Sequence, residues 1–187
     1  MAVANGFLEI TKLLIQNGAD LNFNDKTGMD PLCIAISKGI DIISIRTQIR
    51  RCILLGKEFH EFGGIRIFRF KNIPHAVVDA LIRNGANVDI KKTEKLTLFH
   101  IAMIVNMKML PKLLTYSTMD INETSFRDET LLHFAVRLGL TKAIKILIQH
   151  GASLNSKIDE RNTPLELVLK KKHPNNLKHI LYLQQDL

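Results

Sequence analysis

The 187-residue chain has no tryptophan, two tyrosines and two cysteines, and aromatics make up only 6% of it. Cys33 and Cys52 fit neither metal-ligand spacing nor a disulfide framework, which argues against a zinc module or a stapled secreted scaffold. No apolar run approaches the roughly 18 residues that suggest a membrane span. The opening Met-Ala-Val-Ala-Asn-Gly lacks a basic n-region and an apolar core, so no secretory signal is expected. Also missing are G-x-S-x-G, a P-loop, a dinucleotide fingerprint and H-E-x-x-H. What remains is a foldable chain, 46% hydrophobic and 24% charged with a formal charge of +8, and it reads as cytoplasmic or nuclear.

Its organisation is clearest over residues 130–155, TLLHFAVRLGLTKAIKILIQHGASLN. Leu131, Leu132 and Ala135 mark a first helix begun by the N-cap Thr130, and Ala143, Ile144, Leu147 and Ile148 mark one face of a second. Gly139 and Gly151 stand where the chain must leave each helix through a left-handed conformation. The opening recurs at intervals of 33 as Thr97-Leu-Phe-His-Ile-Ala, Thr130-Leu-Leu-His-Phe-Ala and Thr163-Pro-Leu-Glu-Leu-Val, and earlier as Asp30-Pro-Leu-Cys-Ile-Ala. The closing motif recurs as Asn17-Gly-Ala-Asp-Leu-Asn, Asn84-Gly-Ala-Asn-Val-Asp and His150-Gly-Ala-Ser-Leu-Asn, with Ser117-Thr-Met-Asp-Ile-Asn as a weaker copy.

A 33-residue period with a T-P-L-H-x-A opening and a G-A close resembles the ankyrin repeat, and the resemblance covers nearly the whole chain. It implies an all-α solenoid of stacked helix–turn–helix hairpins in one domain. The expected units are a partial first repeat (1–24), repeats at 25–57, 92–124 and 125–157, and a polar capping repeat at 158–187. The threonine slot of the first repeat would fall before Met1, which fits either a piece of a longer array or a cut-down cap. In the second, Asp30 is an expected N-cap with Pro31 at the first helical position. Pro111 fits a helix start if a turn ends at Leu110 and otherwise kinks that helix.

Between residues 40 and 73 the pattern dissolves. Residues 42–55 can form an amphipathic helix, and residues 62–70 alternate apolar with basic residues like a strand. The surplus is nearly one period, so a degenerate unit (58–91) is favoured over the alternative, an insertion within one repeat. Residues 38–71 also carry eight Lys/Arg against three acids, +5 of the chain's total. One reading is a solvated basic face. The sharper one is a patch of Arg46, Arg50, Arg51, Arg66, Arg69 and Lys71 that meets an acidic partner; the absence of a nucleic-acid-binding module makes nucleic acid the weaker choice.

The resemblance implies a non-catalytic module that binds another protein through its hairpin tips and concave face, with no cofactor, metal, small-molecule substrate or membrane. Matched to the family, the tip positions are Lys26, Thr27, Met29, Thr93, Glu94, Leu96, Phe126, Arg127, Glu129, Asp159, Glu160 and Asn162. The inner-helix positions are Ser37, Lys38, Ile104, Val105, Arg137, Leu138, Lys170 and Lys171. Alternatives are a repressor of a Rel-type transcription factor similar to the kappa-B inhibitors, virus-encoded forms included, and a targeting piece of a larger protein. His100 and His133 share one motif slot, for which the family implies a structural role, and Cys33 takes that slot earlier. Asn22 and Asn122 match the pattern for asparaginyl hydroxylation in ankyrin arrays, against a plain turn-capping role.

Overall fold

The computed structural model describes residues 1–26, 28–37, 45, 47, 49–51, 73–89, 96–158 and 162–171, of Lys171 the backbone alone. Eight α-helices are named here: α1 (Leu8–Gln16), α2 (Pro31–Ser37), α3 (His75–Arg83), α4 (Leu98–Val105), α5 (Leu110–Tyr116), α6 (Leu131–Arg137), α7 (Thr141–Gln149) and α8 (Pro164–Lys171). Short 3-10 turns lie at Val3–Asn5, Met107–Met109 and Phe126–Asp128. Among the described residues no strand is formed.

The helix starts follow the sequence signals. The Asp30 carboxylate accepts the Cys33 N–H at 2.6 Å ahead of α2, and Thr130 Oγ1 accepts the His133 N–H ahead of α6. Thr163 and Glu166 close a reciprocal capping box on α8, each side chain accepting the other's N–H. A 3-10 turn runs up to Met109 and α5 begins at Leu110, so Pro111 sits in the first helical turn, where a missing N–H is harmless. Gly139 and Gly151 both take positive φ, at 69° and 89°, as their exits required.

Two rows of helices result. The Val3–Asn5 turn, α2, α4, α6 and α8 form an inner row in which each packs on the next. In the outer row α1 packs on α3 and α5 on α7, while an ion pair between Asp79 and Lys112 ties α3 to α5. Hairpin partners are α2 with α3, α4 with α5, and α6 with α7. One continuous apolar core runs between the rows and includes Leu32, Leu81, Phe99, Phe134 and Leu147.

A second set of bonds ties the closing turns together. Asn22 Oδ1 accepts the Asn87 N–H at 2.8 Å, and Asn122 Oδ1 accepts the Ser153 N–H at 2.7 Å. Between these rungs Asp89 takes the asparagine's place, accepting from the Ser117 hydroxyl at 2.5 Å and from the Thr118 N–H and hydroxyl. Hydroxyl residues thus stand where other closing turns have Asn-Gly or His-Gly, and they supply donors for a charged acceptor. Partial burial disfavours the Asp89 charge, but these bonds outweigh it and hold its carboxyl below the ordinary range.

Candidate functional site

The tips are built on buried anchors. In the first, the Asp25 N–H donates to the Met29 carbonyl, the Gly28 N–H to the Asp25 carbonyl, and the Met29 N–H to the Asp25 carboxylate. Met29 points into the core and Lys26 is exposed. At the tip around Phe126–Asp128 the Ser125 N–H meets the Glu129 carbonyl at 2.9 Å, and the Glu129 N–H meets the Phe126 carbonyl at 3.2 Å. Arg127 and Asp128 lie between them, exposed, with φ of 60° and 58°. Non-glycine residues rarely adopt that conformation, so the surrounding bonds hold the apex in a strained but fixed shape.

Glu129 fixes the angle of this tip against the inner row. Its side chain is buried, and its two oxygens meet the Arg137 guanidinium at 3.1 and 2.5 Å. This fork-on-fork geometry resists rotation better than a single contact would. A third tip closes through the antiparallel bridge between Ile158 and Asn162, and Lys170 Nζ donates to Asn162 Oδ1 at 2.7 Å.

Several expected contact positions are packed inside the stack. Met29, Ser37, Leu96, Val105, Phe126, Glu129 and Leu138 are all buried, so none offers its side chain to a partner. Phe126 has a specific reason: it joins His100 and Phe134 in an edge-to-face cluster, with centroids 4.5 to 6.0 Å apart. Lys26, Arg127 and Lys170 are exposed, and Ile104, Arg137 and Asn162 half-buried. Thr27, Lys38, Thr93, Glu94, Asp159 and Glu160 lie outside the described residues, as does the Lys171 side chain. Arg46, Arg66, Arg69 and Lys71 of the basic patch also lie outside them, whereas Arg50 and Arg51 are helical and exposed. The strand-like reading of 62–70 falls outside as well.

The two motif histidines face inward. His100 Nδ1 accepts the Thr97 N–H at 3.2 Å and lies 2.7 Å from the Thr97 hydroxyl. Full burial pushes its pKa down to about 3, which keeps the ring neutral and able to accept. His133 repeats the arrangement one unit on. Thr130 Oγ1 lies 2.7 Å from its Nδ1, and its Nε2 donates to the Asn162 carbonyl at 3.0 Å. Its pKa is lowered too, by burial first and by the nearby Arg137 charge, against hydrogen bonds to Asn162 and Ser156 that raise it. Both rings brace the stack; the second ties α6 to the next tip.

Asn22 and Asn122 sit in matching turns, where the N–H of each donates to the Asp two residues earlier at 2.8 and 2.9 Å. Their side chains are the inter-repeat rungs described above, which supplies the capping role at both positions. Among the described residues no group of three or more His, Cys, Asp or Glu could hold a metal ion. A crevice of about 280 Å³ opens beside α5, floored by Phe99, Leu114 and Leu131 and edged by Ser117, Asp120 and His150.

Comparison with known proteins decides the family. A model of three consecutive ankyrin repeats matches residues 69–158 and again 109–187, and a single-repeat model matches residues 1–26. The chain belongs to the ankyrin-repeat family. The array is 26% identical over 181 residues to alpha-latrocrustotoxin-Lt1a of Latrodectus tredecimguttatus, an alignment covering 89% of this chain and 13% of the toxin. It is 24% identical over 164 residues to FPV031 of fowlpox virus (strain NVSL), named as an ankyrin repeat protein, covering 83% of this chain and 48% of that one. The chain thus spans less than half the length of either relative. Ankyrin repeats are in general protein–protein interaction modules, and the family is typically non-catalytic. No helix among the described residues is long and apolar enough to cross a membrane.

Proposed function

We propose that this array is a non-catalytic adaptor that holds another protein against its tips and inner face, in the cytoplasm or nucleus. The observation that carries the reading is the set of exposed cations, Lys26, Arg127 and Lys170, mounted on buried supports. Met29 anchors the first tip, the Glu129–Arg137 pair and Phe126 the second, and Lys170 is bonded to Asn162 at the third. A tip backbone held in this way loses little freedom on binding, which favours recognition. Their sign suits an acidic partner surface.

Affinity capture from lysate with the wild-type array and with a Lys26→Glu/Arg127→Glu variant tests this. Specific proteins held by the wild type should be lost from the variant while its melting temperature stays unchanged. Identical captured sets would remove the tips from the binding surface.

A second reading, a targeting portion of a longer repeat protein, is favoured by the outer face of α1. Ile10, Leu13 and Leu14 are exposed there, as apolar residues awaiting a further hairpin would be. The alignment with a small fraction of a long toxin points the same way. A kappa-B-inhibitor-like role is a finer proposal on the same surface.

A further inference from the structure

The outer row changes its charge along its length. Helices α1 and α3 each carry one acid, and each acid is bonded to a lysine: Glu9 to Lys12 at 2.9 Å, and Asp79 to Lys112 of α5. From Met107 to Tyr116 and along α7 there are four lysines and no acid. Lys108, Lys142 and Lys145 are exposed, and no carboxylate among the described residues pairs with them. Asp79 and Lys112 are 33 residues apart, so positions one period apart in this row can reach each other. Lys145 is the next such position, beside Lys112 where α5 packs on α7. Lys108 and Lys112 at i, i+4, and Lys142 and Lys145 at i, i+3, each share a helix face. Four ammonium groups thus stand on two packed helices whose axes lie about 8–10 Å apart.

We propose that this outer face of α5 and α7 binds an acidic protein segment, whose carboxylates meet the four lysines and one apolar side chain of which enters the crevice beside α5. The crevice lies where this repeat departs from its neighbours. Leu81 of α3 and Leu147 of α7 are fully buried, whereas Leu114 in the same slot of α5 is only half-buried. The closing turn there carries a half-buried Met119 where the others have the buried Ala86 and Ala152. Leu114 and His150 of the crevice wall follow Lys112 and Lys145 by two and five residues, roughly 3 and 8 Å along the helix axes. A volume of about 280 Å³ falls short of the roughly 300–1,000 Å³ of a small-molecule site and suits a single side chain. Asp120 on the rim repels acids there, so the segment's charges belong on the lysine side of its anchor. Lysine ammoniums on flexible stems can follow a run of carboxylates without the fixed angle that an arginine fork needs. Nucleic acid fits less well, because an apolar floor offers a base edge no hydrogen bond. The choice of a protein occupant rests on the adaptor reading; the lysine row and the crevice do not.

Anisotropy titrations on the full chain test both parts. The probe is fluorescein-labelled hexaglutamate carrying one phenylalanine, placed before the acids in one peptide and after them in another, with alanine versions as controls. In the better-fitting order the phenylalanine peptide should bind about fivefold more tightly than its alanine version. Lys142→Glu/Lys145→Glu should weaken that binding by about fivefold or more, while Lys26→Glu/Arg127→Glu leaves it unchanged. Should the first variant fail to fold, Lys142→Gln/Lys145→Gln is used, with about a threefold loss expected. The tip variant reports on the adaptor reading and the outer variant on this face, so either can fail alone. Equal affinity for phenylalanine and alanine in both orders, no loss in the outer variant, equal loss in the tip variant, or tighter binding of a labelled deca-thymidylate would overturn the assignment.

Discussion

Helices α1 and α7 occupy the same place in their hairpins and carry the same pattern, yet they live in different environments. Ile10 and Leu14 of α1 are 49% and 48% exposed, while Ala143 and Leu147 at the matching positions of α7 are 0% exposed. Helix α7 has α5 on the side where α1 has no neighbouring helix among the described residues. Burial in a stack is therefore a property of the interface rather than of the helix. An apolar stripe says which face will be covered, and only the neighbouring hairpin covers it.

The sharpest way to break this comparison is to shave the same leucine at both ends. Leu147→Ala should cost about 3 kcal/mol in urea unfolding, through lost burial and a cavity, whereas Leu14→Ala should cost under about 1. Equal costs would mean that α1 is covered in solution. Next in size, one idealised ankyrin hairpin fused ahead of Met1 should raise stability by about 2 kcal/mol as it covers Ile10 and Leu14. No rise would count against α1 being an open end of the stack.

A pH-dependent effect separates the middle of the array from its start, because His100 and His133 fill a slot that Cys33 holds in α2. The folded pKa of His100, about 3, lies below its ordinary 6.5. Between those values the unfolded chain binds a proton that the folded chain refuses. Stability is thus full above pH 6.5 and falls as the solution is acidified, by up to about 1.4 kcal/mol per pH unit from this group. His100→Gln should flatten the profile between pH 4 and 6 by that slope, as read from denaturation midpoints. An unaltered slope would show that the ring titrates normally.

Much of the architecture was legible in the residues. Thr130, Gly139, Gly151, Asp30 and Pro111 each act locally, through a cap, a left-handed exit or a missing donor, so their neighbours in sequence suffice to read them. The stretch after Ser37 was opaque for an arithmetical reason: its length nearly equals one period, so counting could not tell an extra unit from an interruption. The positions proposed for contact were legible only in part. Family position places Phe126 at a tip, but a left-handed Arg127-Asp128 apex lets the ring turn back onto His100 and Phe134. Asp89 escaped notice because its meaning lies in Ser117 and Thr118 of the next unit, and that pairing follows from stacking rather than from sequence order.

The apex at Arg127 and Asp128 has one more consequence. A glycine-rich bend would relax more easily but would carry no side chains. Here a cation and an anion leave the backbone from two constrained dihedrals, like the poles of a small magnet clamped in a vice. The fixed backbone sets the order of the two charges along the tip, which a flexible glycine bend would leave open.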